Sequence, residues 1–124
     1  MMREIKFRAW DKELNFFCDP VMYFVGLDGS VWFNNCADGE DSMVDQSEKL
    51  IVEQCTGLKD KNSKEIYEGD ILGLHGDPSL RFPVIWENEA AAWALETHKN
   101  EPEFLGDYNQ EYIEIVGNIH EAEE

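Results

Sequence analysis

Apolar and polar positions in this chain alternate in short runs separated by closely spaced turn signals. Ile5-Lys6-Phe7-Arg8-Ala9 has the period-two pattern of a strand with one wet face. It predicts Ile5, Phe7 and Ala9 pointing inward and Trp10 on the basic face, with Lys6 or Arg8 against its ring. Asp11-Lys12-Glu13 turns the chain, Leu14 to Cys18 returns as a second strand, and Asp19-Pro20 ends it. Val21 to Val25 and Val31 to Phe33 flank Gly26-Leu27-Asp28-Gly29-Ser30, a hairpin signal. Residues 34–47 are polar and acidic. They read as a mobile loop closing an N-terminal β-hairpin region, 1–49, with no periodicity to support a short helix near Ser42.

Leu50 to Cys55 predicts the strand that opens the second region, 50–124. It leads into the stretch that organises the chain, Thr56 to Leu72. Asp60-Lys61-Asn62-Ser63 is turn chemistry, because Asn tolerates left-handed backbone angles and Asp and Ser fold back on nearby amides. Lys64 to Tyr67 is too short for a helix, and Gly69 supplies a reversal before Ile71 restarts the apolar pattern. His75-Gly76-Asp77-Pro78 is another turn. Arg81 to Trp86 is a strand whose Pro83 cannot donate to a ladder, which predicts an edge or a bulge there. Residues 88–96 have the intrinsic propensity of a capped helix, but neighbouring strands favour a strand pairing with Val84 to Trp86 across Asn88-Glu89. Residues 98–109 form a polar loop with Phe104-Leu105 tucked against the core, Tyr112 to Val116 closes the domain as a strand, and the last four residues fray.

The 124 residues, 43% hydrophobic and 12% aromatic, describe one globular domain with a core of its own. No apolar run reaches the ~20 residues of a membrane helix, and the start lacks the pattern of a signal peptide, so a cytoplasmic protein without membrane contact is expected. The formal charge of -17 is uneven. Residues 65–124 hold 15 acids against two bases, Arg81 and Lys99. Such a surface repels phosphate and anionic lipid, which argues against direct nucleic-acid binding and leaves a basic protein as a partner.

Candidate chemistry is sparse. Cys18, Cys36 and Cys55 are odd in number and lack a C-x-x-C spacing, so free thiols are expected and no disulfide framework or zinc site. His75, His98 and His120 are scattered, and no phosphate loop, nucleophile elbow or dinucleotide fingerprint is present. Glu65, Glu68 and Asp70 lack the every-second-position spacing of a calcium loop and read as solvated turn carboxylates. No cofactor, metal ligand or catalytic residue is predicted. Trp10, Trp32, Trp86 and Trp93 read as core more readily than as a ligand platform. The candidate partner surface is the turn region itself: Lys59, Asp60, Lys64, Glu65, Glu68 and Asp70.

Three blocks carry a family resemblance. The opening REIKFRAWD, the central TGLKDKNSKEIYEGDIL and the closing IVGNIHE, in that order, resemble the YopX family of phage and prophage proteins. The resemblance implies a mainly β fold, a short-stranded meander with a small SH3-like barrel in the C-terminal half; it implies no activity. Ser63 stands where these proteins usually carry Gly, and Cys55 where an aromatic is common. The expected function is a non-catalytic accessory module that binds a host or phage protein, alone or as a homo-oligomer. An acidic nucleic-acid mimic blocking a basic DNA-binding protein is the alternative, and a small metal-dependent hydrolase the remote one.

Overall fold

The computed structural model of the chain describes residues 5–19, 23–35, 42–97 and 103–121. They form antiparallel strands joined by turns and two single-turn 3-10 helices, with no α-helix among the described residues, and the chain is mainly β as its pattern predicts. Two compact units divide it, Lys6–Gln54 and Cys55–Glu124 together with Met1–Ile5.

In the first unit, β1 (Phe7–Asp11) pairs with β2 (Phe16–Phe17) through a turn in which the Asp11 carboxylate accepts from the Glu13 and Leu14 amides at 2.8 and 3.0 Å. The returning strand is shorter than the pattern suggested, and Leu14 lies exposed in the turn. β3 (Tyr23–Val25) and β4 (Val31–Asn35) form the expected hairpin around Gly26 to Ser30. The expected loop over 34–47 is corrected: β4 runs on to Asn35, and β5 (Ser42–Asp45) pairs beside it. Backbone ladder bonds do not require apolar side chains, so a polar run serves as a sheet edge. Residues 36–41 of that span, Cys36 among them, lie outside the described residues.

The inward set predicted for β1 is also corrected. Ala9 is buried, but Ile5 and Phe7 are 66% and 41% exposed, whereas Trp10 is 6% exposed. The reason is β2. Phe17 stands opposite Trp10 and meets its indole edge-on at 4.9 Å, so the face read as wet carries a small aromatic cluster. The Arg8 guanidinium covers it, 4.3 Å above the Phe17 ring. β6 (Leu50–Lys59) pairs with β1 through its first residues, with Ala9, Val31 and Leu50 forming the buried cluster of this unit.

In the second unit, β7 (Glu65–Tyr67) pairs with the latter part of β6. A five-stranded sheet follows, built from β8 (Asp70–Leu74), β9 (Asp77–Glu87), β10 (Ala92–Leu95), β11 (Glu103–Phe104) and β12 (Ile113–Asn118) in the order β11-β10-β9-β8-β12. One face of this sheet makes the core, where Ile66, Leu72, Val84, Leu95, Leu105 and Ile113 are each at most 2% exposed. Leu105 is tucked in as its apolar neighbours suggested.

Two features here refine the sequence reading. The contested segment is strand over Ala92–Leu95, in register with β9 through Trp93 opposite Trp86, but the turn is longer than Asn88-Glu89 and ends at Ala91 with φ 50°. Pro83 does not mark an edge, since β9 lies between β8 and β10. Its carbonyl accepts from the Glu96 amide (2.9 Å), just past the last paired residue of β10. A residue in an antiparallel ladder directs N–H and C=O to the same side, so the missing proline donor falls where the partner strand has ended.

Candidate functional site

The turn region proposed from sequence as a partner surface is in large part internal. Asp60 is 0% exposed. One of its oxygens accepts from the Asn62 and Lys64 amides (2.9 and 3.0 Å), closing the turn, and the other accepts from the Ile115 amide on β12 (3.0 Å). Its backbone carbonyl receives the Gln110 side-chain amide (2.9 Å), and the neighbouring Lys61 amide donates to the Ile113 carbonyl (2.9 Å). The carboxylate thus stands in for a strand along the outer edge of β12, occupying ladder groups that would otherwise present an open edge. Burial pushes the Asp60 carboxyl up, but the three backbone donors, helped by Lys64, hold it below its ordinary value of 3.8.

Asp70, 2% exposed, accepts from the Tyr67 amide (2.8 Å) and fixes the reversal at Gly69, whose φ is 90°. The reading of these turn carboxylates as solvated is therefore corrected: a turn whose amides point inward takes its acceptor inward with it. Glu65 and Glu68 are half-buried, and Glu65 accepts from the Cys55 thiol at 3.5 Å. Lys59 and Lys64 are exposed. Of the six residues, two are thus buried, two half-buried and two exposed.

The other candidates disperse. Trp10 is buried, Trp32 is half-buried with its indole N–H donating to the Ser30 hydroxyl (2.9 Å), and Trp86 and Trp93 meet edge-on at 5.0 Å with Trp86 42% exposed. Cys18 and Cys55 are free thiols, and burial pushes Cys18 up despite its hydrogen bond with Tyr23. His98 lies outside the described residues. Among the described residues, no three His, Cys, Asp or Glu side chains are grouped to hold a metal ion, and no helix is long and apolar enough to cross a membrane.

A site that the pattern did not single out lies on the opposite face of the five-stranded sheet from the core. An open groove of about 410 Å³ runs over β8 between β12 and β9. Its floor is Gly73, which stands in register between Glu114 on β12 and Arg81 on β9. Adjacent strands are about 4.8 Å apart, so the backbones carrying these two charged residues lie about 10 Å apart, with the Val116 side chain leaning over the glycine between them. A Cβ on Gly73 would come within 3.2 Å of Val116. At one end the β8–β9 turn, His75 and Gly76 with φ 54° and 70°, brings His75 onto the Tyr112 ring at 5.1 Å. Lys61 bridges to Glu114 (3.5 Å), with both side chains more than two-fifths exposed. Arg81, His75 and Tyr112 are exposed. The one signal in the sequence that could have pointed here is charge, since Arg81 is one of two bases in an acidic half-chain.

A family model described as YopX protein matches residues 6–124. The chain belongs to the YopX family. No curated protein matches it. Among solved structures, this YopX chain is similar to protein EF1440 from Enterococcus faecalis, with 20% identity over 97% of this chain and 96% of that one and a TM-score of 0.58. That likeness shows the fold. Family membership also gives Ser63 a context. Ser63, where the resemblance implies a glycine, adopts φ 62°, a left-handed angle that costs side-chain-bearing residues. Ser63→Gly is expected to raise the unfolding free energy by about 0.5 kcal/mol, relief of strain exceeding the added chain entropy. Urea titration of both proteins checks it, and a loss of stability would contradict it.

Proposed function

We propose that this YopX-family protein is a non-catalytic binding module, an accessory protein of phage or prophage origin working in the bacterial cytoplasm. In this reading its C-terminal half, folded as a small SH3-like barrel, holds a segment of another protein in the groove over Gly73. The supporting observation is the slot itself: a glycine floor between Glu114 and Arg81, with Tyr112 and Val116 51% and 38% exposed beside it. Exposed aromatic and apolar groups framed by charges of both signs suit an extended peptide, which offers apolar side chains and polar backbone together.

The test is site-specific photocrosslinking in host cells. A photoreactive residue replacing Tyr112 is expected to give a discrete crosslinked species, and the same group at Glu89, in the turn before β10, is expected to give none. Gly73→Arg, which fills the slot, should abolish the species. Identical products from both positions, or persistence with the slot filled, would overturn the assignment.

A further inference from the structure

We infer that Arg81 is the anchor for a carboxylate carried by the bound segment, so that the groove selects an acidic residue next to an apolar one. The inference rests on the reading of the groove as a protein-binding site and names what that site selects. Between residues 65 and 124 the chain has 15 acids and two bases, so an arginine there has no shortage of acids to pair with. Yet among the described residues Arg81 makes no ion pair or side-chain hydrogen bond. Of the three acids lining the same groove, Glu111 makes no side-chain bond to Arg81, and the other two are committed or positioned apart. Asp77 accepts from the Ser79 amide and hydroxyl at 2.9 and 2.7 Å. Glu114 is bridged to Lys61 and stands across the Gly73 slot.

A guanidinium lining an open groove presents paired N–H donors that match the two oxygens of a carboxylate. Tyr112, supported by His75, gives a flat apolar wall for the side chain alongside. The charge balance decides against phosphate and nucleic acid as occupants. Two cations, Lys61 and Arg81, face three carboxylates, Asp77, Glu111 and Glu114, in the lining. The net negative lining opposes a dianion about twice as strongly as the single carboxylate of an otherwise neutral peptide, which the one arginine can pair.

The experiment is a titration of isotope-labelled full-length protein followed by amide and arginine side-chain NMR signals. The probes are a blocked leucyl-aspartate peptide, its leucyl-asparagine counterpart and inorganic phosphate. The aspartate probe is expected to shift Gly73, Arg81 and Tyr112 saturably, with affinity about tenfold above the asparagine probe, a difference of ~1.4 kcal/mol. Arg81→Gln, at an exposed position, should keep a dispersed spectrum and lose that preference. Equal responses to the two peptides, an unchanged preference in Arg81→Gln, or tighter binding of phosphate would each overturn the inference. If the aspartate preference fails while the Tyr112 crosslink persists, the anchor is wrong and the binding groove stands; if both fail, the groove reading falls as well.

Discussion

Asp60→Ala is expected to lower the unfolding free energy by about 4 kcal/mol, the largest single loss foreseen outside the apolar core. Removing the carboxylate leaves the Asn62, Lys64 and Ile115 amides without this acceptor, and an orphaned buried donor costs about 1–3 kcal/mol. The two turn amides can turn to water at part of that cost. The Ile115 amide lies in the β12 ladder and cannot do so without displacing the turn. Asp60→Asn should lose about half as much, since its carbonyl still accepts within the turn while its NH2 group faces a donor. Chemical denaturation at neutral pH measures both losses.

The same carboxylate sets a pH dependence. Its folded-state value lies below the ordinary 3.8, because the backbone donors outweigh burial. Its contribution is therefore complete above the unfolded value and is lost as pH falls through the folded one. The stability difference between the parent and Asp60→Asn should be constant near neutrality and shrink below about pH 4. Comparing the two proteins isolates this group from the general relief of repulsion as the other acids protonate. A difference that grew on acidification would show that Asp60 is not held as an anion.

The sequence made the turns legible and left their burial hidden. Asp60-Lys61-Asn62-Ser63 reads as a reversal from residue type alone, since its side chains act on amides two to four residues away. That Asp60 also reaches Ile115, 55 positions along the chain, depends on a strand pairing no local pattern encodes. Ile5 and Phe7 fail for a related reason. Period-two alternation separates two faces but does not say which is covered, and Phe17 covers the face that carries Trp10. The groove shows the same limit. Arg81 is visible in the sequence as a base among acids, but its place beside Gly73 and Glu114 comes from the register that unites β12, β8 and β9. In the turn-sized blocks that also carry the family likeness, residue type and short-range geometry agree, which is why the β meander could be read in advance.

Arg8→Ala is expected to cost about 3 kcal/mol, far above the 0–1 kcal/mol of an exposed ion pair. Arg8 and Glu53 stand directly opposite each other on β1 and β6, with Nε 2.9 Å from the carboxylate, and Glu53 is 3% exposed. Truncation strips this cation from a carboxylate already withdrawn from water and uncovers the ring of Phe17. Most of the penalty belongs to the carboxylate left behind, so adding Glu53→Leu to Arg8→Ala should recover about 1–2 kcal/mol. Recovery on deleting a second native group distinguishes a desolvated pair from a favourable surface contact, for which the losses would simply add. Raising the salt concentration should change the cost of Arg8→Ala little, because a pair this buried is weakly screened. A cost under 1 kcal/mol that disappears in high salt would place Arg8 and Glu53 in solvent and remove the cationic cover assigned to the aromatic cluster of β1 and β2.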